Sequence, residues 1–306
     1  MNRAILAISI LFYLCSLSCT SFEGKKNPLS SNEYWSEMVS RSIESKTSLL
    51  TLLQNENPQL FNQIKQDSLD SELEGFWGQS LNFDSGAKKQ IIDDAIISEL
   101  QEMFHLQNDN KIVHAGVTHS YGYLFSVLNT PYGYKRKRWI DPTLNFAFSF
   151  KGKSLSPEAS EGGLLSNLTY FVGSIAFKSP KEKESLKKLK NVSSEVMAFS
   201  YEKLKTETLE EEVTRPASAN HVLRTTLVKL PLKKAEEEND YLLIYSILNS
   251  VTQKEVLITA FPITTGAYLK IVESANLGEG RPIVVRYNAY LEGFMEQNLT
   301  GPRILY

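Results

Sequence analysis

Between Thr20 and Tyr306 the chain has no cysteine; its two, Cys15 and Cys19, both lie near its start. That absence excludes a disulfide framework, a thiol nucleophile and a thiolate metal site from the body. Histidine is almost as scarce. The four present (His105, His114, His119, His221) show no His-x-x-x-His pair and no Glu-paired helical spacing, so no metal site is expected. There is no Gly-x-Ser-x-Gly elbow to carry a serine nucleophile. Charge of one sign is also lacking: 33 basic against 35 acidic residues leave a net charge of −2, which disfavours a nucleic-acid partner. No cofactor motif is present either. "GEGRP" (278–282) follows a helix-like stretch and leads into a strand-like one, which makes it a turn rather than a phosphate loop.

What is present begins with an address. Arg3 supplies a positive charge, Ala4 to Leu14 is apolar apart from Ser9, and Ser16 and Ser18 are small. This is the layout of an export signal. The run is too short for a permanent membrane span, which needs about 20 residues. Ser16-Leu17-Ser18-Cys19 resembles the lipobox of bacterial lipoproteins. Ser18 fits the pattern, whereas Ser16 stands where an aliphatic residue is usual and Leu17 where a small one is commoner. The resemblance implies that Cys19 is lipidated and becomes the first residue of an envelope protein held at a membrane, on the outer membrane or facing the periplasm. Cleavage after a small residue, with release of a free product, is the alternative. A body without cysteine and one cysteine at the cleavage site suit the lipoprotein. Residues 1–19 are then a signal peptide, 20–31 a polar tether, and 32–306 a single α+β domain.

Within that body, residues 32–106 read as a helical portion and 107–306 as sheet-rich. Trp35, Met38, Val39, Ile43, Leu49, Leu50 and Leu53 recur at helical spacing, and Ala87–His105 carries an apolar stripe opposite a charged one. Pro58 and the Gly75/Gly78 region break the chain around Trp77. From Lys111 to Asn129 the pattern alternates, predicting a long strand, or two in series with a bend or bulge at Gly116 and Gly122, with His119, Tyr121 and Tyr123 on one face and His114 and Ser120 on the other. "NTPYGYKRK" predicts a hairpin turn. Leu164–Phe177 fits a helix, and Ser179-Pro180-Lys181-Glu182 opens a short charged one with a cap and Pro at its first position. Strands are expected at Val196–Leu204, His221–Leu230, Tyr241–Leu248, Glu255–Ile263 and Pro282–Leu291, with "TTGAYLKIVESANLGEG" (264–280) a helix ending in a Gly278 cap. The acidic runs Glu210–Glu212 and Glu236–Glu238 read as solvated turns. The fold class is therefore α+β, helices first and then a mainly antiparallel sheet with inserted helices.

Candidate chemistry is thin. His114 and His119, five apart, would face opposite ways in a straight strand; with Asp141 they are the catalytic candidates of a hydrolase. Tyr132, Tyr134 and Trp139, interleaved with Arg136 and Arg138, form an aromatic and basic surface suited to cation–π recognition of a sugar, an anionic headgroup or a protein. Arg286 and Asn288 form a second polar stripe. The expected function is an exported, envelope-anchored lipoprotein serving as a binding or structural module. The rivals are an exported hydrolase with its site on the polar face of the sheet, and a periplasmic carrier of a small apolar ligand.

Overall fold

The computed structural model describes residues 32–84, 87–106, 109–126, 128–130, 133–134, 161–198, 210–218, 220–229, 241–263, 265–266, 268–269 and 289–290. Helices come first. Helix α1 spans Asn32–Ser45, α2 Leu49–Glu56, α3 Pro58–Ser68 and α4 Leu73–Phe76. Pro58 opens α3 with its preset φ while the Asn57 side chain accepts from the Leu60 amide, so one residue ends α2 and starts α3. Strand β1 (Gln79–Leu81) and helix α5 (Asp94–Met103) follow. Helix α5 is shorter than the apolar stripe predicts. Asp93 caps it, and Ile91 and Ile92 are buried ahead of it, their backbone held by the two-way bond of the Asn82 amide to Ile92 N–H and C=O.

The predicted strand over 111–129 is not formed. Only β2 (Ile112–His114) is extended, and it pairs antiparallel with β1. The chain then coils through α6 (Ala115–Val117), a five-residue π-helical turn (Thr118–Gly122) and α7 (Tyr123–Phe125). Every residue from Val113 to Gly122 is buried. A segment buried on all sides has no polar face to set a helical period, and its valines and aromatics favour a strand reading. Within the predicted turn a two-residue ladder forms, β3 (Asn129–Thr130) against β4 (Gly133–Tyr134), while the returning arm of the hairpin (138–150) lies outside the described residues.

Helix α8 (Leu164–Ala176) is apolar nearly all round and buried, and α9 (Pro180–Leu186) follows as predicted, with Ser179 accepting from Lys181 N–H. Ser194–Ala198 is helix α10 rather than the start of a strand, because the Ser193 hydroxyl accepts from the Val196 amide and caps it. A four-stranded antiparallel sheet completes the body: β5 (Glu210–Ser218), β6 (His221–Lys229), β7 (Tyr241–Asn249) and β8 (Glu255–Ile263), in that order. Strand β9 (Ala289–Tyr290) pairs with β1. The acidic run Glu210–Glu212 lies in β5, opposite Val228, Leu227 and Thr226, rather than in a turn. It sits on the outermost described strand, where charged side chains are best tolerated. Glu236–Glu238 lies outside the described residues.

A single apolar cluster runs from Trp35 and Leu53 through Trp77, Ile97, Phe125 and Phe171 to Leu242, Ile244, Leu257 and Ala260 of the sheet. At one end of that sheet face an ion pair is buried: Arg224 Nη1 meets Glu255 Oε2 at 2.6 Å, and the Ser246 hydroxyl donates to Glu255 Oε1 at 2.5 Å. Among the described residues no helix is long and apolar enough to cross a membrane.

Candidate functional site

The π turn is the one π-helical stretch among the described residues, and π-helical insertions concentrate where function or strain needs them. Its effect follows from helical geometry. Residues two apart in a strand share a face, but in a helical turn they point to roughly opposite sides. His119 therefore reaches the sheet while Tyr121 reaches α3, a separation the predicted strand would not allow.

On the sheet side, the His119 ring has partners at both nitrogens. Nε2 lies 2.5 Å from the Ala260 carbonyl and Nδ1 lies 3.1 Å from Thr259 Oγ1. The contact of Nε2 with the Ala260 amide is longer, at 3.3 Å, so the carbonyl defines the bond and Nε2–H donates. The ring stacks on Trp77, centroids 5.9 Å apart and 27° between planes. Trp77 in turn donates Nε1–H to Thr169 Oγ1 at 2.7 Å. Gly116 sits on the same indole, and a Cβ there would lie 2.8 Å from Trp77 Cγ, so only glycine permits the approach. The backbone adds to the joint: Gly78 N–H donates to Leu257 C=O and Ala115 N–H to Gly78 C=O.

On the helical side, Asp67 of α3 is wholly buried and accepts four hydrogen bonds. Leu165 N–H and the Tyr121 hydroxyl reach Oδ2; Ser166 N–H and Ser166 Oγ reach Oδ1. Helix α8 has only Gly163 at its cap position and no acid in its first turn. Asp67 therefore supplies from another helix the carboxylate that the first amides of α8 want. Burial pushes its pKa up to about 6, against the pull of these four bonds. Tyr121 is driven well above the usual phenol value by burial and by the Asp67 charge. Glu99 does the same for α2, accepting from Ser48 Oγ, Leu49 N–H and Leu50 N–H, and Asp70 Oδ2 accepts from Lys190 N–H. None of these acids stands out by spacing. The signal for Asp67 was the bare "GG" before Leu164, a helix start with no capping side chain of its own.

His114 does a similar local task. Its Nδ1 accepts from Val117 N–H and caps α6, while Nε2 finds no partner in hydrogen-bond geometry. Burial takes its pKa down to about 4, only partly offset by the nearby Glu74 carbonyl. The neutral ring favours folding above the unfolded pKa of 6.5, and that stability is lost as pH falls from 6.5 toward 4. Asp67 works the other way, its buried charge being relieved as pH falls through 6 toward 3.8. His114→Gln is accordingly expected to remove about 3 kcal/mol of acid destabilisation between pH 7 and 4. Urea midpoints of the variant and the parent protein at pH 7, 5.5 and 4 check this, parallel profiles being the adverse result.

The two histidines thus serve different neighbours, His114 the start of α6 and His119 the sheet. Among the described residues no group of three His, Cys, Asp or Glu could hold a metal ion. Tyr134 contributes its backbone to β4, paired with Asn129. Cys19, Tyr132, Arg136, Arg138, Trp139, Asp141, Arg286 and Asn288 lie outside the described residues. Comparison of the chain with protein-family models, with curated proteins and with solved structures finds no match.

Proposed function

We propose that the chain is an exported lipoprotein, tethered to a bacterial envelope membrane through Cys19, whose α+β body is a binding or structural module. The observation that carries this is the order of the first thirty or so residues: Arg3, an apolar run, Ser18-Cys19, then a polar stretch before α1 opens at Asn32. The body's chemistry is in keeping with it. The side chains that could do acid–base work at the π turn are spent on holding backbone: Asp67 on α8, His114 on α6, His119 on β8. A hydrolase needs such groups free to exchange protons with a substrate.

The test is detergent phase separation of the full chain and of Cys19→Ala, with mass spectrometry of the N-terminal peptide. The native chain should partition into detergent with an acylated Cys19, and the variant into the aqueous phase. A variant that stays in the detergent phase overturns the lipid anchor.

A further inference from the structure

The net charge of −2 conceals a strong local excess. From Lys178 to Lys190 the chain carries six lysines against two glutamates, a local net charge of +4. Lys178, Lys181, Lys187, Lys188 and Lys190 are exposed, whereas Lys183 and Glu182 are half-buried. The segment is fixed to the body. Leu186 and Leu189 are buried, Gly173 of α8 lets Leu186 approach closely, and Asp70 holds the Lys190 amide. Glu184, the exposed acid of this segment, bonds Lys187 at 2.8 Å, both side chains being about two-thirds exposed (66% and 67%). Lys181, Lys183, Lys188 and Lys190 make no ion pair among the described residues.

From this geometry we infer that the Lys178–Lys190 face is a second membrane contact, one that lays the body on anionic phospholipid headgroups. Two features select lipid over a defined anionic ligand. The cations are all lysines, hydrated point charges without the bidentate fork that arginine brings to one carboxylate or phosphate. A spread of lysines on a rigid outer face suits a diffuse sheet of negative charge, to which each adds attraction that fades within a Debye length. The tether then matters, because Cys19 would hold the body within reach of that sheet. The inference rests on the lipid-anchor reading for that proximity, and the charge cluster stands on its own.

The experiment uses the full chain carrying Cys19→Ala, so that no acyl group contributes, and measures co-sedimentation with vesicles. One set contains about a third phosphatidylglycerol in phosphatidylcholine, the other phosphatidylcholine alone, at about 0.05 M and about 0.5 M salt. The N-terminal run, with Arg3, Lys25 and Lys26 in or beside it, is common to parent and lysine variants, so its contribution cancels when the variants are read against the parent. Binding to the anionic vesicles should exceed binding to the neutral ones and vanish at high salt. With K181E/K188E/K190E it should fall more than about a hundredfold, since loss of each lysine charge alone takes about fivefold and the glutamates add repulsion. Lys→Gln at the same positions, which removes charge without adding repulsion, should weaken it less but in the same direction. Unchanged binding in both variants overturns the inference even where Cys19 proves acylated. Preference for soluble polyglutamate over anionic vesicles of equal charge also overturns it and assigns the face to an acidic protein. A chain that proves not to be acylated but loses anionic-vesicle binding in the variants refutes the anchor and leaves the face standing.

Discussion

Asp67→Ala is expected to cost about 4 kcal/mol of folding stability at pH 7, read as the free energy of unfolding in urea. The figure comes from four donors that lose their acceptor together: two backbone amides in the first turn of α8, the Ser166 hydroxyl and the Tyr121 hydroxyl. A buried donor left unpaired costs about 1–3 kcal/mol, and no solvent reaches this site to replace the carboxylate. Part of the loss is returned, because the variant no longer holds a charge whose burial raises the pKa to about 6. Asp67→Asn sharpens the test. The amide oxygen can serve Ser166, but the amide NH2 then faces the Leu165 N–H, donor against donor; about half the loss should remain. Tyr121→Phe removes one donor with its partner still well served and should cost about 1 kcal/mol. An alanine variant within about 0.5 kcal/mol of the parent would mean that α8 does not depend on this cap. Gly163 belongs to the same unit, since a methyl group there would overlap Asp67 Oδ1.

The same residues show what the sequence could and could not carry. The sheet was legible because His221–Lys229, Tyr241–Asn249 and Glu255–Ile263 are β-rich segments separated by turn residues, and "LNSVTQKE" joins the last two as expected. Helix α9 was legible for a local reason, since Pro180 after Ser179 writes its own start signal, whereas Pro58 read only as a break although with Asn57 it starts α3. The π turn was not. Its residues are buried on every side, so neither period is imprinted, and alternation of small and aromatic residues imitates a strand. The run Glu210–Glu212 failed for the opposite reason: it lies in the edge strand of the described sheet, where charge is tolerated, and a run of acids does not tell an edge strand from a turn. Asp67 is a partner chosen 98 residues away in the chain, and nothing in its own neighbourhood marks it. The face argument that set His114 against His119 therefore rested on a strand that does not form. Their separation is real for another reason, namely that one caps α6 and the other reaches β8.

Trp77→Ala should be comparably severe, at about 3–5 kcal/mol, because it empties the contact on which the π turn meets the sheet. Trp77 is 3% exposed, bonds Thr169, stacks on His119 and lies beside the backbone bridge to Leu257. Trp77→Phe keeps most of the ring and loses Nε1–H. Thr169 still donates to the Leu165 carbonyl, so that variant should lose only about 1 kcal/mol. The discriminating measurement is a double-mutant cycle with Gly116. In the native protein Gly116→Ala drives a methyl group to 2.8 Å from Trp77 Cγ and 2.9 Å from Cδ1. The indole is pinned by its bond to Thr169 and its stack on His119, so it has little room to yield, and overpacking of this kind costs about 1–3 kcal/mol. With Trp77 already replaced by alanine, the same methyl group enters the space left by the indole and should be neutral or slightly stabilising. The two substitutions should thus couple by about 2 kcal/mol, with the double variant more stable than the sum of the single losses. Additive losses would separate Gly116 from Trp77 and leave the joint between helix and sheet to the His119 bonds with Thr259 and Ala260 and to the backbone bond of Gly78 to Leu257.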